Sequence, residues 1–211
     1  MIVHEIFHSI QGETSRAGMP CVFVRLTGCH QRCVYCDTTE AFHEGYPMSI
    51  EAVIGEVERH GCRFVTITGG EPLLQEEVYS LMERLASEGY TLQLETGGSI
   101  DVSRVDPRVR IILDVKTPGS GEEASMDWDN LRRLKPGDEV KFVMMGREDY
   151  LWSARVLRER GIPPEVSVLF SPAHGTLDPR DLASWIKEDR LDVRLQLQLH
   201  KIIWGDDCRG V

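Results

Sequence analysis

Short apolar stretches rich in β-branched residues recur along the chain and predict β-strands. Most of these stretches are continuous rather than alternating, as expected of parallel strands that are buried on both faces. They cover residues 21–26, 64–68, 91–95, 109–115, 139–144, 166–170 and 193–199.

Segments with helical spacing lie between the predicted strands. Apolar residues at positions 50, 53, 54 and 57 share one helix face behind Ser49, a residue type that favours helix N-termini. Positions 74, 78, 81, 82 and 85 repeat this pattern, with Pro72 near its start and Gly89 just past its end. Asp178 and Pro179 open a third helix, which has apolar residues at 182, 185 and 186.

The alternation of strands and helices predicts an α/β protein built from parallel βα units. A complete eight-fold barrel usually takes about 250 residues, whereas this chain has 211. An incomplete, open βα barrel with parallel strands therefore fits best, and a doubly wound sheet is the alternative. The sequence has no internal repeat or linker, so we expect one domain over residues 1–211. In both architectures ligands bind at the carboxyl ends of the strands.

The composition narrows the possible partners. The chain has 24 basic and 34 acidic residues, a net charge of −10, which argues against a sequence-independent grip on nucleic-acid phosphates. Its first residues lack an export signal, and no apolar run approaches the roughly 20 residues that span a bilayer. We therefore expect a cytoplasmic protein with neither a nucleic acid nor a membrane as partner.

Three cysteines follow the first long predicted strand with the spacing Cys-x3-Cys-x2-Cys: Cys29, Cys33 and Cys36. In a reducing compartment such a cluster indicates metal binding rather than disulfides. A zinc ion would want a fourth ligand, for which His30 and His43 are candidates. A four-iron cluster on three thiolates would keep one iron free for a small molecule. The spacing alone leaves both interpretations open.

A glycine-rich turn follows the next predicted strand. Gly69 and Gly70 allow the backbone to approach a ligand closely, and the carboxylate of Glu71 can hold an amino group. A plain strand-to-helix turn with Pro72 at the first helical position would explain the same residues. The turn is informative mainly because it accompanies the cysteine loop.

Together these motifs resemble the radical S-adenosylmethionine superfamily, whose signature has an aromatic residue before the last cysteine, here Tyr35. The resemblance implies a [4Fe-4S] cluster on the three cysteines, with S-adenosylmethionine chelating the free iron. It also implies that reductive cleavage of S-adenosylmethionine yields a 5′-deoxyadenosyl radical. The glycine-rich turn corresponds to the family's motif for the methionine amino group.

Nearly the whole chain resembles one branch, the 7-carboxy-7-deazaguanine synthases of the 7-deazapurine pathway to queuosine, a tRNA modification. The similar segments are residues 5–13 (EIFHSIQGE), 23–29 (FVRLTGC), 36–38 (CDT), 94–98 (LETGG), 113–118 (LDVKTP), 198–201 (QLHK) and 209–211 (RGV). Two residues depart from the branch pattern: Thr14 replaces a usual glycine, and His30 a common asparagine.

The resemblance implies the reaction. The substrate is 6-carboxy-5,6,7,8-tetrahydropterin, and a radical ring contraction converts it into 7-carboxy-7-deazaguanine with loss of ammonia. The enzyme is then a carbon–nitrogen lyase, and S-adenosylmethionine is regenerated in each cycle. The family also uses Mg²⁺, a cation that prefers oxygen ligands, with the protein ligand at the position of Thr38.

The resemblance also implies residue roles, some with independent physical support. Glu13 suits the guanidine-like edge of a pterin, and Arg25 suits its carboxylate, although a structural salt bridge would equally explain Arg25. Gln198 and His200 alternate along the last predicted strand and share a face. The implied substrate contacts are Ile10, Gln11, Gly12, Glu13, Arg25, Thr96, His200 and Val211. The implied S-adenosylmethionine contacts are Tyr35, Cys36, Asp37, Gly69, Gly70, Glu71, Gly98, Lys116 and Ser171.

Family likeness further implies a homodimer and an electron donor such as flavodoxin or ferredoxin. Two rivals remain at this point. A small activase that makes a glycyl radical on a partner protein would share the cluster and the cofactor, but it would need no pterin-sized pocket. A zinc-stabilised binding module would have no catalysis and would be colourless.

Overall fold

The computed structural model describes residues 1–205 and 210. Within them a single sheet has the strand order β3-β1-β2-β4-β5-β6-β7-β8-β9. Its strands are β1 (Ile2–Ile10), β2 (Pro20–Leu26), β3 (Tyr46–Pro47), β4 (Phe64–Gly69), β5 (Thr91–Thr96), β6 (Arg110–Val115), β7 (Glu139–Met144), β8 (Ser167–Pro172) and β9 (Arg194–Leu195).

The sheet is parallel from β2 through β4 to β9, and β1 and β3 extend it antiparallel on one side. Strands β3 and β9 are its two edges, so the sheet is open. The prediction of an incomplete βα barrel with parallel strands is confirmed.

The helices are α1 (Ile50–Arg59), α2 (Glu77–Ser87), α3 (Asn130–Arg133), α4 (Arg147–Glu159), α5 (Pro179–Asp189) and α6 (Leu199–Trp204). Two predicted caps are present, because the side chain of Ser49 accepts a hydrogen bond from the Ala52 amide and that of Asp178 from the Arg180 amide. Pro72 instead opens a short 3₁₀ turn, and α2 starts only at Glu77. Within residues 1–205 and 210 no helix has the length and apolarity needed to span a bilayer.

The sequence patterns miss the short elements β3, α3 and α6, and they fail at three longer segments. Strand β1 was not predicted, because polar and apolar residues mix along it, and α4 was not predicted, because charged residues dominate its sequence (REDYLWSARVLRE). The predicted strand 193–199 is wrong beyond Leu195. The chain leaves the sheet there, so Gln198 caps α6 and His200 lies inside that helix rather than on a strand.

The core lies between the sheet and its helices. Alternate strand residues face this layer and are apolar and fully buried, for example Ile67, Leu94 and Leu113. The residues between them face the concave side of the sheet and include several polar ones: Thr66, Gln93, Glu95, Asp114 and Lys141. A polar concave face therefore runs across the middle strands.

Candidate active site

A cavity of about 460 Å³ occupies the concave side of the open barrel. The residues from predicted sites that line it are Ile10, Gln11, Gly12, Glu13, Arg25, Cys29, Cys33, Tyr35, Cys36, Asp37, Thr38, Gly69, Gly70, Thr96, Lys116, Ser171 and His200. Glu71 and Gly98 do not line it. Val211 lies outside the described residues. The cavity thus brings together residues from the beginning, middle and end of the chain.

The three clustered cysteines lie along this cavity. Cys29, Cys33 and Cys36 are half-buried and free of disulfides, whereas neither His30 nor His43 lines the cavity. Among the residues described, no three His, Cys, Asp or Glu side chains are grouped to hold a single metal ion. Three thiols beside an open space fit a cluster that spreads its protein ligands over three irons and leaves the fourth to a ligand.

Burial raises the pKa of the Cys29 and Cys33 thiols above the usual value. Because the metal ligand is the thiolate, assembly of a cluster on these residues releases protons.

The glycine-rich turn after β4 packs directly against the cysteine loop. A Cβ on Gly70 would lie 2.3 Å from the Gly28 carbonyl oxygen and 2.7 Å from the Cys29 Cβ. A Cβ on Gly69 would lie 2.3 Å from the Leu26 carbonyl oxygen. Any side chain here would force the two loops apart, so the glycines hold the turn close to the cluster position.

Glu71 ties this turn to the end of β5 rather than facing the cavity. Its buried carboxylate accepts hydrogen bonds from the Thr96 hydroxyl (2.8 Å), the Gly97 amide (2.7 Å) and the Leu73 amide (3.1 Å). Burial raises the pKa of Glu71, and these donors offset only part of that effect. Gly98 lies further back, where its carbonyl accepts a hydrogen bond from the Asn130 side chain.

The N-terminal loop and α6, near the two ends of the chain, meet beside the cavity. The Leu199 amide donates to the Gly12 carbonyl (2.9 Å), and Gln198 Nε2 donates to Glu13 Oε1 (2.9 Å). A Cβ on Gly12 would overlap His200 Nδ1, at 2.0 Å. The absence of a side chain at Gly12 therefore allows α6 to pack against the N-terminal loop.

The loop after β1 runs along the concave face. Gln11 Nε2 donates to the Thr66 hydroxyl (3.1 Å). Thr14 is buried with φ of 68°, a left-handed conformation that costs a non-glycine residue roughly 1–2 kcal/mol. Its hydroxyl donates to Gln93 Oε1 (3.4 Å) and accepts from the Arg16 amide (3.2 Å). Thr14 therefore adopts the left-handed backbone conformation that glycine, the usual residue of the branch at this position, favours.

Arg25 borders the cavity and forms a salt bridge. Its Nε lies 2.8 Å from Glu5 Oε1 on the neighbouring antiparallel strand, where the two residues pair in register. The guanidinium carbon also lies 6.0 Å from the centre of the Phe7 ring. Both interpretations of Arg25 fit this position, because the salt bridge holds a guanidinium beside the cavity.

A chain of buried charges crosses the cavity floor and includes residues that no motif assigned. Lys116 Nζ lies 3.0 Å from Asp114 Oδ2, Lys141 Nζ lies 3.6 Å from the same oxygen, and Lys141 Nζ lies 2.8 Å from Glu13 Oε2. Burial is the largest influence and raises the pKa of Glu13, but Lys141, Gln198 and His200 together outweigh it, so the pKa stays below its usual value. Sequence reasoning missed Lys141, although a lysine within an apolar strand is a signal that could have found it.

Two buried polar atoms beside Lys116 lack hydrogen-bond partners among the described residues: the Tyr35 hydroxyl and Asp114 Oδ1. Both belong to residues that line the cavity. A buried polar atom without a partner is costly. Because neither atom is accessible, the pair is an uncompensated polar spot beneath the cavity wall.

The segment after Cys36 is held by α6. Lys201 Nζ lies 3.2 Å from Asp37 Oδ2, and the Thr38 hydroxyl donates to Asp37 Oδ1 (3.1 Å). The same helix that contacts the N-terminal loop therefore also reaches the cysteine loop.

Comparisons with known proteins agree with this arrangement. The family model of the Radical SAM superfamily matches residues 23–188. The chain is 45% identical to 7-carboxy-7-deazaguanine synthase from Koribacter versatilis, over 100% of both proteins. It is also 45% identical to that from Chlorobaculum tepidum, over 99% of this chain and 96% of the relative.

Solved structures show the same fold. QueE from Escherichia coli matches with a TM-score of 0.79 at 24% identity over 94% of each chain. SuiB from Streptococcus suis, bound to the precursor peptide SuiA, matches with a TM-score of 0.60 at 11% identity, over 82% of this chain and 47% of SuiB. The superfamily match and the 45% identity to full-length relatives show more than a shared fold. The chain therefore belongs to the radical SAM superfamily and, within it, to the 7-carboxy-7-deazaguanine synthases.

Proposed function

We propose that this chain converts 6-carboxy-5,6,7,8-tetrahydropterin into 7-carboxy-7-deazaguanine with loss of ammonia, as a radical S-adenosylmethionine lyase. The observation that carries the proposal is the shared cavity. The three thiols of the cysteine loop line the same cavity as Gln11, Glu13, Arg25 and His200, which come from distant parts of the chain. One cavity bordered by both sets of residues is what a site for a cofactor next to its substrate requires.

Cys29, Cys33 and Cys36 would hold the [4Fe-4S] cluster. When bound, the cluster and S-adenosylmethionine supply the 5′-deoxyadenosyl radical that starts the reaction. The backbone of Gly69 and Gly70, Lys116, Ser171 and the Tyr35–Asp37 segment border the space beside the thiols and would bind S-adenosylmethionine. Glu71 and Gly98 do not line the cavity. They would support the cofactor site indirectly, by holding the glycine-rich turn and the end of β5 in place.

The residues of the N-terminal loop, β2 and α6 would orient the pterin. Glu13 is held ionised by Lys141, so its free lone pairs can accept hydrogen bonds from the guanidine-like ring edge. The Arg25 guanidinium would bind the substrate carboxylate. Ile10, Gly12, Thr96, His200 and Val211 complete the proposed contacts.

Mg²⁺ is the proposed third cofactor, with Thr38 as its protein ligand beside the substrate carboxylate. Replacing Thr38 with alanine should reduce the stimulation of turnover by Mg²⁺ at least about tenfold. The cluster should remain bound. The measurement is turnover against Mg²⁺ concentration together with cluster absorbance. Loss of cluster absorbance in this variant would contradict the assignment.

We further propose a single radical S-adenosylmethionine domain over residues 1–211, a homodimer, and a cytoplasmic enzyme. Flavodoxin or ferredoxin would supply the electron. The product would feed queuosine biosynthesis and so the modification of tRNA.

Anaerobic turnover tests the proposal. The reconstituted protein is incubated with reductant, S-adenosylmethionine, Mg²⁺ and 6-carboxytetrahydropterin, and the products are identified by mass spectrometry. Formation of 7-carboxy-7-deazaguanine is the expected result. Release of 5′-deoxyadenosine without that product would support the activase instead, and a colourless, iron-free protein that forms neither product would support the zinc module.

A further inference from the structure

Glu95 at the end of β5 lines the cavity, and no motif or resemblance gives it a role. Building on the proposed function, we propose that the Glu95 carboxyl group transfers the proton in the step that releases ammonia.

The position of Glu95 leaves one of its oxygens for the cavity. Gln11 Nε2 (3.3 Å) and Gln93 Nε2 (3.2 Å) both donate to Glu95 Oε1. These two amides fix the side chain through a single oxygen. The other oxygen, Oε2, is then the group that a bound ligand can meet.

Glu95 differs from Glu5, Glu13, Asp37 and Asp114, which also line the cavity, because it has no salt-bridge partner within the described part of the chain. Glu5 pairs with Arg25, Glu13 with Lys141, Asp114 with Lys116 and Lys141, and Asp37 with Lys201. A half-buried carboxyl group without a cation next to it favours its neutral, protonated form.

The groups facing Glu95 strengthen this difference. Lys141 and Arg25 favour its charged form, but burial and the negative charge of Glu13 oppose them, and the pKa of Glu95 lies above its usual value. The pKa of Glu13 is shifted the other way. Two nearby carboxyl groups with opposite shifts are the usual arrangement of an acid beside an ionised binding group.

The ammonia-releasing step balances with one such group. The C–N bond breaks, and the nitrogen keeps the electron pair, takes the Glu95 proton and leaves as ammonia. The neighbouring carbon loses its proton to the Glu95 carboxylate, and the C–H electron pair becomes the ring double bond. Glu95 ends protonated, as it began, and the step needs neither an oxidant nor a reductant.

The test compares Glu95→Gln with the wild-type enzyme, with Glu83→Gln on the exposed face of α2 as a control. The amide introduced by E95Q would keep a carbonyl oxygen for the two amide donors but could not transfer a proton. Two rates are measured: transfer of deuterium from C6-deuterated substrate to S-adenosylmethionine, which reports the early radical step, and formation of 7-carboxy-7-deazaguanine.

We expect E95Q to retain the single-turnover rate of deuterium transfer within about threefold, while kcat for product falls by roughly 10²–10⁴, the usual contribution of general acid–base catalysis. The kcat of the wild-type enzyme should fall at high pH as Glu95 ionises. The kcat of E95Q should not show this decrease. Glu95→Asp should retain part of the activity, and E83Q should match the wild type.

If E95Q has the same kcat and the same pH profile as the wild-type enzyme, the inference is overturned. Equal losses of deuterium transfer and product would also overturn it, because they would indicate a structural role only. A wild-type enzyme that forms no product would overturn the proposed function itself, which distinguishes the two failures.

Discussion

Replacing Lys141 with methionine tests the buried charge chain most directly. Only 9% of the Lys141 side chain is exposed, and its ammonium lies 2.8 Å from one Glu13 oxygen and 3.6 Å from an Asp114 oxygen. Methionine retains most of the apolar stem but removes the charge. Asp114 keeps Lys116 at 3.0 Å, so Glu13 is the carboxylate left without a cation.

Removing one partner of a buried ion pair costs about 3–5 kcal/mol of unfolding free energy, because the other charge stays buried and uncompensated. For a domain of this size, 1 kcal/mol corresponds to about 2–4 °C in Tm. The expected loss for K141M at pH 8 is therefore about 6–20 °C.

The loss should shrink as the pH falls. In the wild-type protein Lys141 keeps the pKa of Glu13 below its usual value of 4.5, so this pair stabilises the fold above that pH and ceases to do so as Glu13 protonates. Without Lys141, only Gln198 and His200 oppose burial, so we expect the pKa of Glu13 to rise. In the variant, Glu13 then takes up a proton at mildly acidic pH, which removes the cost of its buried, uncompensated charge. In the wild-type protein the Glu13–Lys141 pair is still ionised at that pH.

The assay is thermal unfolding of the cluster-loaded, anaerobic protein by tryptophan fluorescence, at one scan rate, at pH 6 and pH 8. The double variant K141M/E13Q is the control, since it removes the orphaned charge and should recover most of the Tm at pH 8. An equal loss at both pH values, or a double variant as unstable as the sum of the single ones, would refute the electrostatic explanation.

Three glycine substitutions make the remaining predictions. Gly12→Ala should raise KM for the pterin at least about tenfold, because its Cβ would overlap His200 Nδ1; an unchanged KM in steady-state assays would refute this contact. Gly70→Ala, whose Cβ would lie 2.3 Å from the Gly28 carbonyl oxygen, should weaken S-adenosylmethionine binding at least about tenfold in equilibrium titrations. Gly55→Ala is the matched control for both, since its Cβ meets nothing within 4 Å inside α1. It should raise stability by about 1 kcal/mol and leave turnover unchanged, and a lower Tm would contradict the helix assignment.

Local spacing was enough for the parts of the site that lie close together in the sequence. The three cysteines fall within eight consecutive residues, and the glycine-rich turn directly follows a strand, so neither depends on distant pairing. The close approach of Gly70 to the cysteine loop also agrees with the prediction that ligands lie at the carboxyl ends of parallel strands.

Distance along the chain explains why the last predicted strand is wrong. Residues 193–199 alternate like a strand, but only Arg194 and Leu195 pair with β8. The chain turns away because the Leu199 amide donates to the Gly12 carbonyl, a residue 187 positions earlier. A local pattern carries no information about such a contact, so tertiary structure overrides it.

The polar floor of the cavity shows a subtler limit. Strands β5, β6 and β7 each carry polar residues at alternate positions within apolar runs, as in Gln93 and Glu95, so a polar face could have been predicted from the sequence. Which residues meet on that face depends on register. Asp114 lies directly opposite Lys141, and a slip of one residue would turn Lys141 into the apolar layer between sheet and helices. Because an unpaired ammonium there would be costly, the charge chain itself helps to select the register, and the residues that position Glu13 also help to determine the fold.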